Sequence, residues 1–234
     1  MPKSRYSDDQ AYELFVQFKR SKLTLMAFCT REGLTYSTIY SLFRRNTDNF
    51  DARQRLGRRF VYIDNSNLLV EGRRLSAVKK RMVQNIHEAH QTNKIDTNYF
   101  LDYISLHRFF ALGGRVERIS SYGVLDQVHH QDMLDAGFNV YSGTKSFSGH
   151  EKGVDVALAT DMVADGLSML DPERDNLILV SGDADYVPAV QRLKGAGLHV
   201  QVVFWSHGSI RLINEASEFT PLDDWLMKVG YTRR

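Results

Sequence analysis

The stretch Asn176-Leu177-Ile178-Leu179-Val180-Ser181-Gly182-Asp183-Ala184-Asp185-Tyr186-Val187-Pro188 decides the fold. Leu177 to Val180 are four apolar residues in a row, which reads as a strand buried on both faces. Ser181-Gly182 ends that strand, two aspartates follow at once, and an apolar-periodic run opens at Tyr186. A strand feeding a helix places Asp183 and Asp185 at the carboxyl end of a sheet, where open α/β sheets bind their ligands. Phe60-Val61-Tyr62-Ile63-Asp64-Asn65-Ser66-Asn67 has the same form, a short apolar strand running into an aspartate. If the two strands are neighbours, Asp64, Asp183 and Asp185 meet in one crevice.

Three further strands are expected outward from these two, at 116–122, 138–141 and 200–204. Helices are expected over 97–112, 124–136, 154–170, 186–196 and 209–219, a polar loop over 142–149, and a fraying end over 221–234. Strands alternating with helices imply a parallel sheet wound by crossovers. The expected fold is therefore an α/β domain with a five-stranded parallel sheet in the order 3-2-1-4-5. Its switch point lies between the first and fourth strands.

The front of the chain reads differently. Helical periodicity predicts three helices, at 8–20, 24–30 and 36–45, with Gly33 suited to the position just past the second. This spacing fits a helix-turn-helix. Ala27-Phe28-Cys29, Gly33-Leu34 and Ser37-Thr38-Ile39-Tyr40 resemble the small helix-turn-helix modules at the front of transposase-type proteins. The third helix would offer Thr38, Ser41, Arg44 and Arg45 to DNA or RNA. A cap used for packing or for homo-oligomerisation is the alternative. The polar run 46–59 reads as a connection, which divides the chain into a helical module at 1–50, a linker at 51–58, an α/β domain at 59–225 and a tail at 226–234.

Charge follows the same division. Residues 1–59 carry twelve Lys/Arg against six Asp/Glu, whereas the whole chain is only +2, so the remainder is acidic. A basic arm points to a polyanionic partner, and a soluble basic surface is the plainer reading. Segment 71–97 is basic again, with Arg73 and Arg74 placed either to track a phosphate backbone or to form a solvated helix face. A hydrophobic share of 43% over 234 residues suffices for a sizeable core. No apolar run approaches the roughly 20 residues that span a bilayer, and no apolar signal region follows the basic start. The single cysteine, Cys29, excludes an intrachain disulfide and a Cys-rich zinc site. These features favour a cytoplasmic setting without a membrane partner.

Asp155 joins the acidic set because it sits in the first turn of a predicted helix at the same sheet edge. Asp161 lies six residues on, about 240° round that helix, so it reaches the crevice only from the side. Three or four carboxylates in one pocket repel one another unless protons or a cation intervene. Oxygen donors suit a hard divalent ion, Mg²⁺ or Mn²⁺. No His cluster at metal-ligand spacing is visible, and His129-His130 diverge on their helix. Taken singly, each aspartate has a plain structural reading: Asp64 and Asp185 as helix N-caps, Asp155 as first-turn charge.

Three ordered blocks resemble the signature blocks of NYN domains, a family of the PIN-like nuclease superfamily. They are Tyr62-Ile63-Asp64-Asn65-Ser66-Asn67, Lys152-Gly153-Val154-Asp155-Val156-Ala157-Leu158-Ala159-Thr160-Asp161-Met162 and Leu179 through Pro188. The resemblance covers about residues 59–225 and leaves 1–50 aside. It implies a PIN-like three-layer α/β/α fold and metal-dependent endonucleolytic hydrolysis of RNA, single-stranded or structured. It implies Asp64, Asp155, Asp183 and Asp185 as catalytic, metal-binding residues, with Asp161 at a recurrent acidic position. Asn67 and Ser181 are expected to hydrogen-bond carboxylates or a phosphate oxygen. Lys152 at the mouth would offset phosphate charge, or is a solvent lysine. Asn65 stands where the family commonly has glycine. The rival reading is a non-catalytic regulator that binds RNA or protein. A small-molecule phosphatase fits poorly, because Ser66 stands where the second aspartate of an Asp-x-Asp pair is needed.

Overall fold

A computed structural model of the chain describes all residues except 1–5, 7, 22, 56, 113, 124–126, 146–150 and 234. Two compact units emerge, residues 1–57 and 58–234.

The first unit holds α1 (Asp8–Ser21), α2 (Leu25–Arg31) and α3 (Tyr36–Arg55). Thr24 caps α2 by accepting the Ala27 N–H at 3.3 Å. Past its other end, Gly33 takes φ +65 and the Leu34 N–H reaches back to the Cys29 carbonyl at 2.8 Å, the closing turn expected of that glycine. Phe15, Phe28, Ile39, Leu42 and Phe43 are buried together between the helices. The front of the expected linker is instead helix, since α3 runs on to Arg55. No Gly or Pro lies between Tyr36 and Leu56, so nothing interrupts the helix before Gly57, which takes φ +65.

The second unit is built on β1 (Arg58–Asp64), followed by α4 (Asn65–Lys79), α5 (Ile86–Gln91), β2 (Tyr99–Leu101), α6 (Tyr103–Ala111), β3 (Arg115–Gly123), α7 (Gln127–Asp135) and β4 (Asn139–Ser142). Two short strands, β5 (Thr144–Lys145) and β6 (Glu151–Lys152), pair antiparallel ahead of α8 (Val154–Ser168). Then come β7 (Asn176–Val180), a 3-10 turn at Ala184–Tyr186 leading into α9 (Val187–Gly195), β8 (His199–Phe204), α10 (Ile210–Glu215), β9 (Glu218–Pro221) and β10 (Gly230–Thr232).

The main sheet has the order β4-β3-β1-β7-β8-β9, and every pairing in it is parallel. The chain leaves β1 toward β3 and β4, then returns to β7 on β1's other flank. Period-two alternation divides the strand side chains between two cores. Val61, Ile63, Ile178, Val180 and Val203 pack with Leu68, Leu106, Phe110 and Met133 on one face. Phe60, Tyr62, Leu177, Leu179 and Val202 pack with Leu158, Met162, Val190 and Leu212 on the other. The result is a three-layer α/β/α domain in the expected strand order, with one strand added.

The added strand is β9, where helix was expected through Phe219. The helix stops at Glu215, Ala216 turns extended, and the Ser217 N–H bonds the Val200 carbonyl at 2.8 Å. The open edge of β8 thus outcompetes a further helical turn, and Pro221 is tolerated because β9 is itself an edge. The expected helix 97–112 also splits. Tyr99–Leu101 pairs antiparallel with β10, and Asp102 restarts the chain as α6 by accepting the Ser105 N–H at 3.0 Å. The expected loose tail is thereby pinned, with Leu226 and Val229 buried. Part of the expected loop 142–149 is paired strand, and its remainder lies outside the described residues.

Candidate functional site

β1 and β7 are hydrogen-bonded neighbours, with Ile63 opposite Val180. Asp64 and the Ser181-Gly182-Asp183 turn therefore leave the sheet side by side at its carboxyl edge, at the switch point. Asp64 is 5% exposed. Its Oδ1 caps α4 by accepting the Asn67 N–H at 3.0 Å. Its Oδ2 lies 3.3 Å from the Ser181 hydroxyl and 3.3 Å from the Tyr186 hydroxyl.

These contacts tie the two strand ends into one unit. The Asn67 side-chain carbonyl accepts the Gly182 N–H at 2.9 Å and lies 3.3 Å from Ser181 Oγ. Ser181 Oγ in turn accepts the Asp183 N–H at 3.2 Å. Asp183 Oδ1 accepts the Asp185 N–H at 2.9 Å, so Asp183, not Asp185, caps the 3-10 turn. Gly182 is required by close approach. A Cβ there would fall on the Phe204 ring and lie 3.1 Å from Gly208 Cα. Asp185 is exposed, and its carboxylate is not drawn into this network.

Asp155 arrives from α8. Gly153 at φ +76 starts that helix in a left-handed conformation that suits glycine, and Asp155 falls in its first turn. Asp155 Oδ1 lies 3.3 Å from the Tyr186 hydroxyl. One phenol hydrogen is thus shared between two carboxylates whose oxygens are no more than 6.6 Å apart (2 × 3.3 Å). Burial first, then the charges of Asp64 and Asp155, push the Tyr186 hydroxyl far above the ordinary phenol range, so it stays a donor. Sequence reasoning passed over Tyr186 because it opens an apolar-periodic run and looks like a core position; it is indeed 1% exposed.

Other expected site residues fall elsewhere. Asp161 is about 9 Å further along α8 at 1.5 Å per residue, and its carboxylate accepts the Tyr122 hydroxyl at 2.9 Å. It does not join the pair bridged by Tyr186. Asp165 is likewise held internally, by the Tyr62 hydroxyl at 2.7 Å and by Arg118. Arg73 donates through Nε to the Tyr99 carbonyl at 3.0 Å and stacks over the Phe100 ring, which ties it to the β2 edge. Arg74 forms an ion pair with Glu71 and donates to Asn93. On α3, Arg44 and Arg45 are exposed, with Arg45 donating back to the Ser41 carbonyl at 3.1 Å. Lys152 lies in β6, and its side chain is outside the described residues.

The donor set at the crevice is all oxygen: the carboxylates of Asp64, Asp155 and Asp183, two hydroxyls and an amide carbonyl. That set fits Mg²⁺ or Mn²⁺ and suits softer ions poorly. Among the described residues, the aspartates do not form a set of three ligand atoms within 4.8 Å, a spacing reached only by Glu71, His90 and His207. Coordination partly through water, which Mg²⁺ retains readily, accommodates the wider spacing.

Among the described residues no helix is long and apolar enough to cross a membrane. No match was found among curated proteins. Among solved structures, a protein of unknown function from Vibrio parahaemolyticus is similar, with a TM-score of 0.53 and 20% identity over 72% of this chain and 94% of that one. At that identity the likeness speaks for the fold alone. The family profile of the NYN domain matches residues 58–223, the whole sheet from β1 to β9. With the α/β/α layers and the switch-point aspartates in place, the chain belongs to the NYN domain family of the PIN-like nuclease superfamily.

Proposed function

We propose that the second unit is a Mg²⁺- or Mn²⁺-dependent endoribonuclease acting at Asp64, Asp155, Asp183 and Asp185. The observation that carries this reading is the convergence of Asp64 and Asp155 on one Tyr186 hydroxyl, beside a turn whose Asp183 backbone is held by Ser181. Two distant segments deliver carboxylates to one hydroxyl at the ligand-binding edge of the sheet.

Asp64 and Asp155 would hold the ion, with Asp183 contributing from the β7 turn. Asp185, exposed at the mouth, would orient water or help hold a second ion. A bound ion of this kind activates a water and stabilises the leaving oxygen of a phosphodiester. Tyr186 keeps the two carboxylates in fixed geometry and donates its hydrogen bond to whichever is not engaged. Asn67 locks the Gly182 turn, so Asp183 keeps its place when substrate charge arrives. Arg44 and Arg45 on α3 supply a basic contact for the nucleic acid, and the protein works in the cytoplasm.

The test is cleavage of a single-stranded RNA by purified protein with Mn²⁺ or Mg²⁺. EDTA and Asp183→Asn should each abolish it. Binding of RNA without cleavage under any divalent ion would favour the non-catalytic regulator.

A further inference from the structure

Glu71, His90 and His207 are 19 and 117 residues apart in sequence, which is why no cluster was visible there. The fold brings them together from α4, α5 and the turn after β8. Glu71 Oε2 is 2.9 Å from His207 Nε2 and 3.2 Å from His90 Nε2, and the three ligand atoms all lie within 4.8 Å of one another. We propose that these three side chains form a Zn²⁺ site separate from the aspartate crevice.

Two of the three separations suit that ion, and the third is no more than 4.8 Å. Tetrahedral Zn²⁺ with bonds of about 2.0–2.1 Å needs its ligand atoms roughly 3.3 Å apart. The two separations from Glu71 are already near that value, so binding asks chiefly that the two rings close on each other. Two imidazoles and one carboxylate are a ligand set Zn²⁺ accepts, with a fourth position left for water. That position opens on the side of His90, whose side chain is 44% exposed against 13% for His207. Arg74 engages the other carboxylate oxygen, Oε1, which fixes Glu71 with Oε2 turned toward the rings. Its positive charge opposes a second cation, so the ion is held through the imidazole lone pairs as much as through charge. This favours a borderline-soft ion over Mg²⁺.

The site braces the neighbouring crevice. His207 is followed by Gly208, whose Cα lies close beside Gly182, and the Ser209 N–H bonds the Gly182 carbonyl at 2.8 Å. A metal on His207 therefore anchors the loop that backs the turn carrying Asp183.

The experiment uses the full chain, stripped with a chelator and titrated with Zn²⁺ in competition with a chromophoric chelator, and separately with Co²⁺ followed by visible absorption. Wild type and Asp64→Asn should both bind one Zn²⁺ per chain at this site and show the absorption of Co²⁺ in a nitrogen- and oxygen-ligated tetrahedral site. His90→Ala and His207→Ala should weaken Zn²⁺ at least about 100-fold, beyond the 10–100-fold typical of losing an outer-shell partner. His90 is exposed enough that its variant folds even if the His207 variant does not. Equal Zn²⁺ affinity in wild type and His90→Ala overturns the proposal. So does an affinity that falls with Asp64→Asn and not with His90→Ala, which assigns the ion to the aspartates.

Discussion

Replacing Asp64 by Asn separates the structural role of this residue from its proposed chemical one. Asn keeps the side-chain oxygen that caps α4, and as an N-cap it ranks with Asp. What changes is Oδ2, which becomes an amide NH₂. Both hydroxyls that face it have other acceptors in place: Ser181 Oγ lies 3.3 Å from Asn67 Oδ1, and Tyr186 OH lies 3.3 Å from Asp155 Oδ1. The loss of two long hydrogen bonds is therefore largely absorbed. Against it stands the relief of repulsion with Asp155. At no more than 6.6 Å (2 × 3.3 Å) and an effective dielectric constant of about 20, two unit charges repel by at least about 2.5 kcal/mol. Metal-free Asp64→Asn should melt no lower than metal-free wild type. The ion reverses the comparison. Mn²⁺ at a hundred times its dissociation constant stabilises wild type by about 2.7 kcal/mol, or about 5–11 °C for a unit of this size, and the variant should lose that gain together with RNA cleavage. The assay is thermal melting with and without Mn²⁺ in protein freed of Zn²⁺. A variant that melts several degrees lower without metal yet keeps the full Mn²⁺ shift refutes the reasoning and makes Asp64 an ordinary cap.

Gly182→Ala sets a methyl against the Phe204 ring and the Gly208 backbone, and should cost about 1–3 kcal/mol by urea unfolding. The Mn²⁺ shift should shrink as the Asp183 turn is displaced. Asp175, buried under Arg58, gives a pH signature. Burial raises its carboxyl pKa, but the hydrogen bonds and charge of Arg58 outweigh that and leave it below the ordinary value. Its stabilisation is therefore fully present above the unfolded value of about 3.9 and is lost as pH falls through the lower folded value. Asp175→Asn should cost about 1–2 kcal/mol at neutral pH, since Arg58 is partly solvent-screened, and the two proteins should converge in stability in strong acid. Arg44→Ala and Arg45→Ala should each weaken RNA binding and lower its salt slope by about one, while leaving short-substrate cleavage nearly unchanged. An unaltered slope removes α3 from the nucleic-acid interface.

Much of this was legible because the deciding signals are local. Leu177–Val180 and Phe60–Ile63 are continuous apolar runs that only a two-sided burial explains, and each ends in an aspartate that the parallel sheet then sets side by side. The misreadings share a cause as well. β9 and β2 exist because distant edges, β8 and β10, offer hydrogen bonds to segments whose own periodicity is helical. Arg73 and Arg74 each also meet partners that only the folded chain supplies, the Tyr99 carbonyl and Glu71. Tyr186 was hidden by its apolar neighbours, and Glu71, His90 and His207 by their separation. Asp161 shows the limit of helical-wheel reasoning. Nothing in the sequence announced that Tyr122 would reach it.

The most direct measurement is a crystal structure with Mn²⁺, located by its anomalous scattering. The account predicts an ion at the end of β1, about 2.1 Å from a carboxylate oxygen of Asp64 or Asp155, with Asp183 bound directly or through one water. Manganese found only at Glu71, His90 and His207, or nowhere near Asp64, contradicts it.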